Sequence, residues 1–534
     1  MCLREDMFKS LKGKFFDLLV IGGGATGAGI ALDASSRGLK VALVEKNDFS
    51  SGSSGKSTKL IHGGVRYLEK AVLHLDKVQY SLVKDALKER YFILKNASYL
   101  GNRLSLVTPL YKYHEIPYIY FGLFLYDLLS GKKSIGRSKL LSKKNVENLC
   151  KYVNKDNLKA AVEYFDGQFF DTRLNIALIK TALNFGLICC NYLIVKNLLK
   201  KDGLICGATV EDIFTQQSFN IFAKSVVNAT GPYVDSIRRL DDKNVEDMVT
   251  VSSGIHIVID KKYTENNRGL MIPKTEDKRV LFILPWNDHT LVGTTDEKAV
   301  VEDHPIPKKS DIDYLLRHVN KYFEMSITEN DIKSKWSGLR PLVKDLTKDN
   351  TSNIVRDHVI EISESGLFTI TGGKWTTYRK MAQDIVDKLI TYFNFKASGC
   401  ITQNLLIDGA TKGHFSFTDL AERYGVDTKN ANRLYRLYGT NSKKILDRIK
   451  DNNKLVKPDH PFFQEEINYI IEEELAQRAS DILARRLTLA LVDIEAAKDI
   501  SKDILEIMRK KLAWDDKRFE IESKEIEDRL NTAL

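Results

Sequence analysis

The segment after the first predicted strand constrains the fold of this chain more than any other feature. Residues 16–21 are almost wholly apolar, as expected for a strand buried on both faces of a parallel sheet. Gly22, Gly24 and Gly27 then give the spacing GxGxxG, and residues 28–37 form a helix pattern of small residues. We therefore predict a strand, a tight turn and a helix whose amino terminus can bind an anion.

A second strand completes this βαβ unit. Residues 41–44 are apolar, and Glu45 follows them directly. In such a unit Gly22 permits the tight turn, Gly24 lets the backbone approach a pyrophosphate, and Gly27 lets the helix pack closely on the strand. An acid in the place of Glu45 accepts hydrogen bonds from ribose hydroxyls. The unit predicts a dinucleotide site, with a glycine turn that binds no ligand as the alternative.

Two later steps from strand to glycine favour FAD over NAD. Residues 225–231 and 367–373 each read as a strand that ends in glycine, and a helix is predicted at 374–389. Corners so far apart in the chain can meet at the carboxyl edge of one sheet, where a long dinucleotide spans them. The helix after Gly373 would direct N–H groups at the flavin; the alternative is an ordinary strand–helix turn.

Residues 50–68 form the most unusual stretch of the sequence. Its serines and Thr58 can donate hydrogen bonds to phosphates and ribityl hydroxyls, and His62, Gly63 and Gly64 would let the backbone pass close to a ring. Runs of this composition also form flexible loops. Because the stretch follows the βαβ unit directly, we favour a role in binding the cofactor.

Charge and cysteine content narrow the class of protein. The 534 residues carry 81 Lys and Arg against 71 Asp and Glu, a net charge of +10 that fits a mildly basic surface, anionic lipid, anionic substrates or nucleic acid. The six cysteines show no CxxC spacing, so we expect no zinc site, no other metal site and no disulfide framework. A reducing compartment fits this content.

The sequence also predicts how the chain is divided. The apolar stretch at 116–129 contains Asp127 and falls short of the roughly 18 residues that a membrane span requires. The amino terminus has acids and no apolar core, so we expect neither a signal nor a transit peptide. We predict a discontinuous cofactor-binding region at 1–400, with a substrate-binding β-sheet domain inserted at roughly 70–160 and 240–345. Helices at 465–491 and 494–512 predict a helical domain at 401–534.

The ordered motifs of the first 400 residues resemble those of FAD-dependent glycerol-3-phosphate dehydrogenases, the membrane-associated enzymes that reduce quinone. The matching segments include IGGGATGAGIALDASSRGLKVALVEKNDFSSG, STKLIHGGVRYLE, NATGPYVD, GIHIVID, WSGLRPLV and TGGKWTTYRKMA. DILARRLTLA resembles the C-terminal domain of that family less specifically. The resemblance implies an α/β fold: a Rossmann-like FAD-binding domain of the glutathione-reductase or D-amino-acid-oxidase type, an inserted antiparallel β domain and an α-helical C-terminal domain. Gly55 departs from the small polar or basic residue of relatives.

The resemblance also implies a reaction and its residues. Glycerol 3-phosphate is oxidised to dihydroxyacetone phosphate: C2 loses a hydride to flavin N5, and a base takes the hydroxyl proton. Arg66 and Arg356, with Tyr67, are expected to bind the phosphate, because the guanidinium fork suits that group. Arg340 and Lys374 would stabilise charge at the reacting oxygen. His256 is the preferred base; Arg340 as base and a structural role for His256 are the alternatives.

The residues predicted to bind FAD lie in the segments described above. They are Gly22, Gly24, Ala25, Thr26, Gly27, Glu45, Lys46, Ser54, Ser57, Thr58, Lys59, His62, Gly63, Gly64, Ala229, Thr230, Gly231, Gly373, Lys374 and Thr376.

The family passes its electrons to membrane quinone, which requires contact with lipid. The aromatic stretch at 118–129, followed by Lys132 and Lys133, is the candidate surface; plain core packing is the alternative. We therefore expect a protein on the inner face of the cytoplasmic membrane, in peripheral contact with anionic lipid. A homodimer is one possible assembly, which the sequence does not decide.

Three other functions stay open at this stage. An oxidase would pass the electrons to oxygen and release hydrogen peroxide. A flavin-dependent protein that binds or modifies RNA would use the basic charge, but no aromatic RNA-binding motif is present and acids interleave with the bases after residue 460, so we expect no nucleic-acid partner. The C-terminal domain could also serve only for docking or dimerisation.

Overall fold

The computed structural model describes residues 3–65, 68, 76–264, 266–273, 275–277, 279–324, 326–344, 358–413 and 415–532. The strands are β1 (Phe15–Ile21), β2 (Val41–Val44), β3 (Leu60–Ile61), β4 (Gly101–Leu110), β5 (Lys139–Ser142), β6 (Ala160–Phe169), β7 (Ile188–Cys190), β8 (Leu193–Lys201), β9 (Leu204–Asp212), β10 (Ser218–Asn228), β11 (Val249–Asp260), β12 (Arg268–Ile272), β13 (Leu281–Trp286), β14 (His289–Gly293), β15 (Glu297–Ala299), β16 (Ser334–Val343), β17 (His358–Ile362) and β18 (Leu367–Gly372).

The helices are α1 (Leu3–Leu11), α2 (Ala25–Ser36), α3 (Lys77–Asn96), α4 (Glu115–Ser130), α5 (Lys143–Leu149), α6 (Asp171–Leu183), α7 (Val234–Asp241), α8 (Lys309–Tyr322), α9 (Tyr378–Phe393), α10 (Phe417–Tyr424), α11 (Thr428–Tyr438), α12 (Ser442–Asp451), α13 (Gln464–Glu473), α14 (Ile494–Leu512) and α15 (Asp516–Thr532).

The first sheet is parallel at its centre. Its order is β17-β18-β10-β1-β2-β7; β18, β10, β1, β2 and β7 run parallel to one another, whereas β17 joins β18 antiparallel and the hairpin β8–β9 joins β10 antiparallel. The carboxyl ends of β1, β10 and β18 therefore lie side by side, each followed by glycine, as the sequence predicts for an α/β dinucleotide-binding fold. The α/β fold class is thereby confirmed.

Both faces of this sheet are covered, which explains its apolar strands. Leu18 and Val20 belong to a buried cluster shared with α2, α6 and α9, whereas Leu19 and Ile21 face a second cluster formed with α1 and the β8–β9 hairpin. The approach of α2 to α9 is close: a Cβ added at Gly29 would lie 2.9 Å from the ring of Tyr378. Small residues in α2 permit that distance.

The second sheet is largely antiparallel and lies beside the first. Its order is β15-β11-β14-β13-β12-β4-β6-β3, with β16 paired to β11 and β5 to β6. The alternating side chains of β11 separate its faces. Ile255, Ile257 and Ile259 pack in a cluster with α8, and His256 points away from that cluster.

The C-terminal part differs from the sequence-based prediction in one place. The predicted helix at 465–491 ends with α13 at Glu473, and a π-helical turn, Asp481–Arg486, follows after a break. Two features accompany the break: the buried carboxylate of Glu474 binds Arg173, far away in the sequence, and Leu475 takes the left-handed conformation at φ 56°. Helix α14 begins at Ile494, as predicted.

No helix among the described residues combines the length and the apolar character that crossing a membrane requires.

Substitution of Gly27 by alanine tests the packing of the first βαβ unit. A Cβ at this position would lie 1.8 Å from the carbonyl oxygen of Gly22, so the helix must move away from the strand. We expect a loss of about 1–3 kcal/mol in the free energy of unfolding, measured by urea denaturation. Gly122 in α4 meets nothing within 4 Å, so Gly122→Ala is the matched control and should leave stability unchanged or raise it. Equal stability of the two variants would contradict the packing argument.

Candidate active site

A cavity of about 690 Å³ lies between the two sheets. One wall is formed by the carboxyl ends of β1, β2, β10 and β18, and the other by residues of β11 and β16. The stretch at 50–58 runs along the cavity from one wall to the other. The cavity is therefore placed where an open α/β sheet binds its ligand.

The glycine turn leaves room for a ligand and for neighbouring backbone. Gly22 has φ +108°, and a Cβ there would lie 2.7 Å from the carbonyl oxygen of Ala229. Gly24 caps α2 without a side chain, and a Cβ there would meet Ser54 Oγ at 3.0 Å. Ser54 Oγ itself accepts the N–H of Ala25 at 2.9 Å. The backbone contact and the positive φ require glycine at position 22, and the absence of a side chain at position 24 leaves the amino terminus of the helix accessible to an anion.

The sequence predicts that Glu45 binds a ribose, and the structure gives its carboxylate hydrogen bonds within the protein. Its carboxylate accepts the backbone N–H of Gly23 at 2.7 Å and that of Asn47 at 2.8 Å. Burial raises its pKa, although both hydrogen bonds oppose that shift. The side chain lines the cavity, so it closes the glycine turn and also faces the space where a ribose would lie.

The stretch at 53–59 is fixed to both walls. Ser53 Oγ donates to the carbonyl of Leu339 in β16, and the indole N–H of Trp375 donates to the carbonyl of Ser54 at 2.8 Å. Gly55 is packed so tightly that a Cβ would lie 2.3 Å from the carbonyl oxygen of Ser50. The departure from the family pattern at Gly55 therefore has a local steric reason.

Lys59 does not reach the cavity. Its ammonium group is fully buried and contacts both carboxylate oxygens of Asp171 at 2.8 Å and the carbonyl of Gly55 at 2.8 Å. Ser57 Oγ donates to the same carboxylate at 2.7 Å. Burial lowers the pKa of Lys59, and Asp171 opposes that shift. The structure thus gives the Lys59 side chain an internal ion pair instead of the predicted cofactor contact.

His256 lines the cavity while only 2% of its surface is exposed. Its ring stacks on Trp336, with 5.4 Å between the centroids, and Nε2 lies 2.9 Å from Thr58 Oγ1. Burial first, and then the charges of Arg340 and Lys59, hold the pKa of His256 well below its usual range. The imidazole is therefore neutral at pH 7 and in the form of a proton acceptor.

Arg340 is placed on the same face of the second sheet as His256. Its guanidinium crosses Gly254, where a Cβ would lie 2.1 Å from Nη2, so a larger residue there would displace the guanidinium. Nη2 donates to Thr294 Oγ1 at 2.8 Å, and Nη1 lies 3.2 Å from Asp296. These two residues fix the orientation of the guanidinium at the cavity.

Lys374 and Thr376 belong to the turn between β18 and α9. Gly373 has φ +69°, and a Cβ there would lie 2.5 Å from the sulfur of Met381. The backbone N–H of Lys374 donates to Thr377 Oγ1 at 3.3 Å, and Thr376 Oγ1 donates to the carbonyl of His62 at 3.3 Å. The third glycine corner therefore contacts the His62 segment across the cavity.

Gly63 is held from outside the cavity by a buried polar group. Its N–H donates to the hydroxyl of Tyr126 at 2.6 Å, and that hydroxyl donates to Asp166 at 2.9 Å. Arg90 pairs with Asp166 at 2.6 Å. Burial raises the pKa of Asp166 to about 6, although Arg90 lowers it. Asp166 lines the cavity, so this group connects α4 with the segment at 62–64.

The structure brings most of the predicted site residues to one cavity. Those that line it are Gly22, Gly24, Ala25, Thr26, Glu45, Lys46, Ser54, Ser57, Thr58, His62, Gly64, Ala229, Thr230, Gly231, His256, Arg340, Gly373, Lys374 and Thr376. Gly27, Lys59 and Gly63 have packing or positioning contacts instead. Arg66, Tyr67 and Arg356 lie outside the described residues.

The sequence reasoning missed several ionisable residues that line the cavity, among them Lys56, Asp166 and Arg279. Burial, and then Arg529 and Arg485, lower the pKa of Lys56 to about 7. Lys56 stands in the serine-rich stretch, and Asp166 is an acid beside glycine in an aromatic strand; both were visible as signals. Arg279 carries no such local signal. No group of three metal-binding side chains occurs among the described residues.

The residues present fit a flavin dinucleotide. Three glycine corners that side chains would fill, an open helix amino terminus and a hydroxyl-rich stretch line one elongated cavity. These features define the class of FAD-binding oxidoreductases. The pattern of the family "FAD dependent oxidoreductase" matches residues 17–379, and that of the "C-terminal domain of alpha-glycerophosphate oxidase" matches residues 400–519.

Comparison with known proteins gives the particular family. A probable glycerol-3-phosphate dehydrogenase of Encephalitozoon cuniculi (strain GB-M1) is 42% identical over 519 residues, 96% of this chain and 84% of that protein. The mitochondrial glycerol-3-phosphate dehydrogenase of Mus musculus is 41% identical over 96% of this chain and 73% of its own length. The glycerol-3-phosphate dehydrogenase of Bacillus halodurans, solved with FAD, superposes with a TM-score of 0.83 at 28% identity, over 100% of this chain and 98% of that one. The chain belongs to the FAD-dependent glycerol-3-phosphate dehydrogenase family, and its cofactor is FAD.

Substitution of Asp171 by asparagine tests the ion pair beneath the cavity. The change leaves the buried ammonium of Lys59 without its counter-charge, so we expect a loss of about 3–5 kcal/mol in the free energy of unfolding. Denaturation in urea measures it. Asp288 forms an exposed pair with Lys261, and Asp288→Asn should cost about 1 kcal/mol or less. A loss of similar size in both variants would show that Asp171 does not organise the stretch at 53–59.

Proposed function

We propose that this protein oxidises sn-glycerol 3-phosphate to dihydroxyacetone phosphate. One observation supports this most directly: a neutral His256 and a cationic Arg340 share one face of the cavity, opposite the wall with the three glycine corners. Oxidation of a secondary alcohol needs an acceptor for the hydroxyl proton and a cation beside the oxygen that becomes a carbonyl. When bound, FAD supplies the acceptor for the hydride from C2.

His256 is the proton acceptor in this proposal. Thr58 lines the cavity and lies within 2.9 Å of Nε2, so a hydroxyl proton has a hydrogen-bonded route to the buried ring. In the free protein the charge of Arg340 is one cause of the low pKa of His256. An anionic substrate beside Arg340 offsets that charge, which raises the pKa of His256 towards the range useful for a base.

Arg340 and Lys374 orient the substrate oxygen from the two walls. Thr294 and Asp296 hold the guanidinium of Arg340 in place, so little reorganisation is needed when negative charge develops on the oxygen. Arg66, Tyr67 and Arg356 remain the predicted phosphate ligands. The division at residue 400, with the substrate-binding β domain inserted in the first part, is part of the same proposal.

Helix α4 supports the proposed contact with a membrane. Tyr118, Phe121, Phe124 and Leu128 are exposed along one side of the helix, whereas Leu123 and Tyr126 are buried on the other. This arrangement differs from plain core packing. Lys112 precedes this helix and Lys132 and Lys133 follow it, as expected of a segment that meets anionic lipid.

We propose membrane quinone as the electron acceptor on this basis, with oxygen as the alternative. The compartment stays open between the cytoplasmic membrane predicted from the sequence and the mitochondrial location stated in the name of the mouse relative. A homodimer also stays a prediction.

Anaerobic mixing of the FAD-loaded protein with glycerol 3-phosphate tests the reaction. The wild type should lose its flavin absorption, and His256→Gln should keep its FAD but bleach about 10²–10⁴-fold more slowly, because the hydroxyl proton has no acceptor. Stopped-flow absorbance measures both rates.

Two controls complete this test. His289 lies on the neighbouring strand β14 and does not line the cavity, so His289→Gln should bleach at the wild-type rate. Glycerol without phosphate should not bleach the wild type. Bleaching of His256→Gln at the wild-type rate would contradict the role of His256, and a wild type that glycerol 3-phosphate does not bleach would contradict the proposed substrate.

The double substitution of Phe121 and Phe124 by serine tests the membrane surface. We expect binding to vesicles of anionic phospholipid, measured by sedimentation, to weaken about ten-fold, because the apolar contact area is lost. Bleaching by glycerol 3-phosphate should be unaffected. Ile521, exposed on α15, gives the control variant Ile521→Ser, which should bind as the wild type does. Undiminished binding of the double variant to these vesicles would exclude this surface.

A separate assay of the wild type tests the electron acceptor. Release of peroxide in place of reduction of a quinone analogue would favour the oxidase.

A further inference from the structure

The segment between α13 and α14 inserts charged side chains into the cofactor-binding part of the chain. It contains the π-helical turn Asp481–Arg486, whose Arg486 is fully buried. The Nη2 group of Arg486 donates to the carbonyl of Glu474 at 2.7 Å, and the Nη1 group donates to Asp48 at 2.5 Å. Asp48 is distant in sequence and stands three residues after Glu45.

The buried carboxylate of Asp48 is bound by Arg486 and Asn191, which are buried, and by Arg485, which is partly buried. Oδ2 accepts from Arg485 Nε at 2.6 Å as well as from Arg486, and Oδ1 accepts from Arg486 Nη2 at 3.0 Å and from Asn191 Nδ2 at 3.0 Å. Burial alone would raise the pKa of Asp48, but the two arginines lower it, so the group is charged.

The π-helical turn explains how two consecutive arginines reach one carboxylate. In an α-helix, neighbouring side chains point about 100° apart, so they rarely bind the same group. The wider turn reduces that angle. Arg485 also pairs with Asp481 at 2.5 Å, one turn earlier, which keeps its side chain directed at Asp48. The π-helical turn therefore directs Arg485 and Arg486 to the same carboxylate, that of Asp48.

The anchored turn at 45–48 belongs to the FAD cavity. Glu45, Lys46 and Asn47 line the cavity, and Asp48 does not. On the sheet side, the backbone of this turn is held by Tyr192 N–H to the carbonyl of Asn47 at 3.0 Å and by Leu193 N–H to that of Glu45 at 2.8 Å. The side chain of Asp48 is a further anchor, and two of its partners, Arg485 and Arg486, lie in the C-terminal part.

We propose that the C-terminal domain holds this turn in the geometry that binds FAD, and that Asp48, Arg485 and Arg486 are positioning residues for the cofactor. In this proposal the domain has a role beyond docking or dimerisation, because the affinity for FAD depends on it. The inference rests on FAD as the cofactor and is independent of the proposed substrate and electron acceptor.

Titration of the full-length apoprotein with FAD tests the proposal. Asp48→Asn removes the charge that Arg485 and Arg486 bind, and we expect the Kd for FAD, measured by quenching of FAD fluorescence, to rise about ten-fold or more. Glu466 is the matched control: it is fully buried, accepts hydrogen bonds from Arg433 at 2.7 and 2.8 Å, and lies in α13 away from the cavity. Glu466→Gln should lower the melting temperature without changing the Kd.

A milder variant keeps the test decisive if Asp48→Asn does not fold. Arg485→Gln leaves Arg486 on Asp48, so we expect a smaller rise in the Kd, about three-fold. Asp48→Glu, which restores the charge, should recover part of the affinity. A wild-type Kd in the Asp48 and Arg485 variants, or an equal rise in Glu466→Gln, would overturn the proposal. Because FAD binding is read without substrate, a failed bleaching experiment would not be confused with this result.

Discussion

One buried carboxylate organises the region between the two sheets. Asp171, the first residue of α6, accepts hydrogen bonds from Ser57, from the N–H of Thr172 and from the ammonium of Lys59. Its position at a helix amino terminus suits a negative charge. The stretch at 53–59 is thereby held in place before any ligand binds, so Ser54, Ser57 and Thr58 already face the cavity. The site is preorganised because its supporting ion pair is buried beneath it.

The electrostatics of the cavity follow from the same arrangement. Three cations in or beneath its walls are each oriented by a carboxylate: Lys59 by Asp171, Arg340 by Asp296, and Arg90 by Asp166. In this field an imidazole is kept neutral, as the low pKa of His256 shows. In the proposed reaction, the same side chains would attract an anionic substrate and keep His256 available as the proton acceptor.

The sequence was most informative where backbone geometry leaves few choices. The glycine corners, the parallel strands beside them and the alternation that directs His256 into the cavity all follow from local rules of turn and strand, and the structure shows each of them. The sequence predicts a cofactor contact for Lys59, whereas its side chain pairs with Asp171. This buried ion pair has no local signal in the sequence, because Asp171 lies 112 positions away. The break after α13 was missed for a similar reason, since the contact of Glu474 with Arg173 is long-range. Helix α4 was ambiguous because an apolar run reads alike whether it is buried or exposed.

The stretch at 53–58 contacts both walls of the cavity, so a substitution in it affects both walls at once. Ser53 is bonded to β16 and Ser54 to the start of α2, while Thr58 contacts His256. A change of length or composition in this stretch would alter both the residues that line the dinucleotide cavity and the contact that holds His256. A new substrate preference in this fold is therefore expected to arise from substitutions outside this stretch, on the strands of the second sheet. Substitutions there can change one wall of the cavity and leave the other wall unchanged.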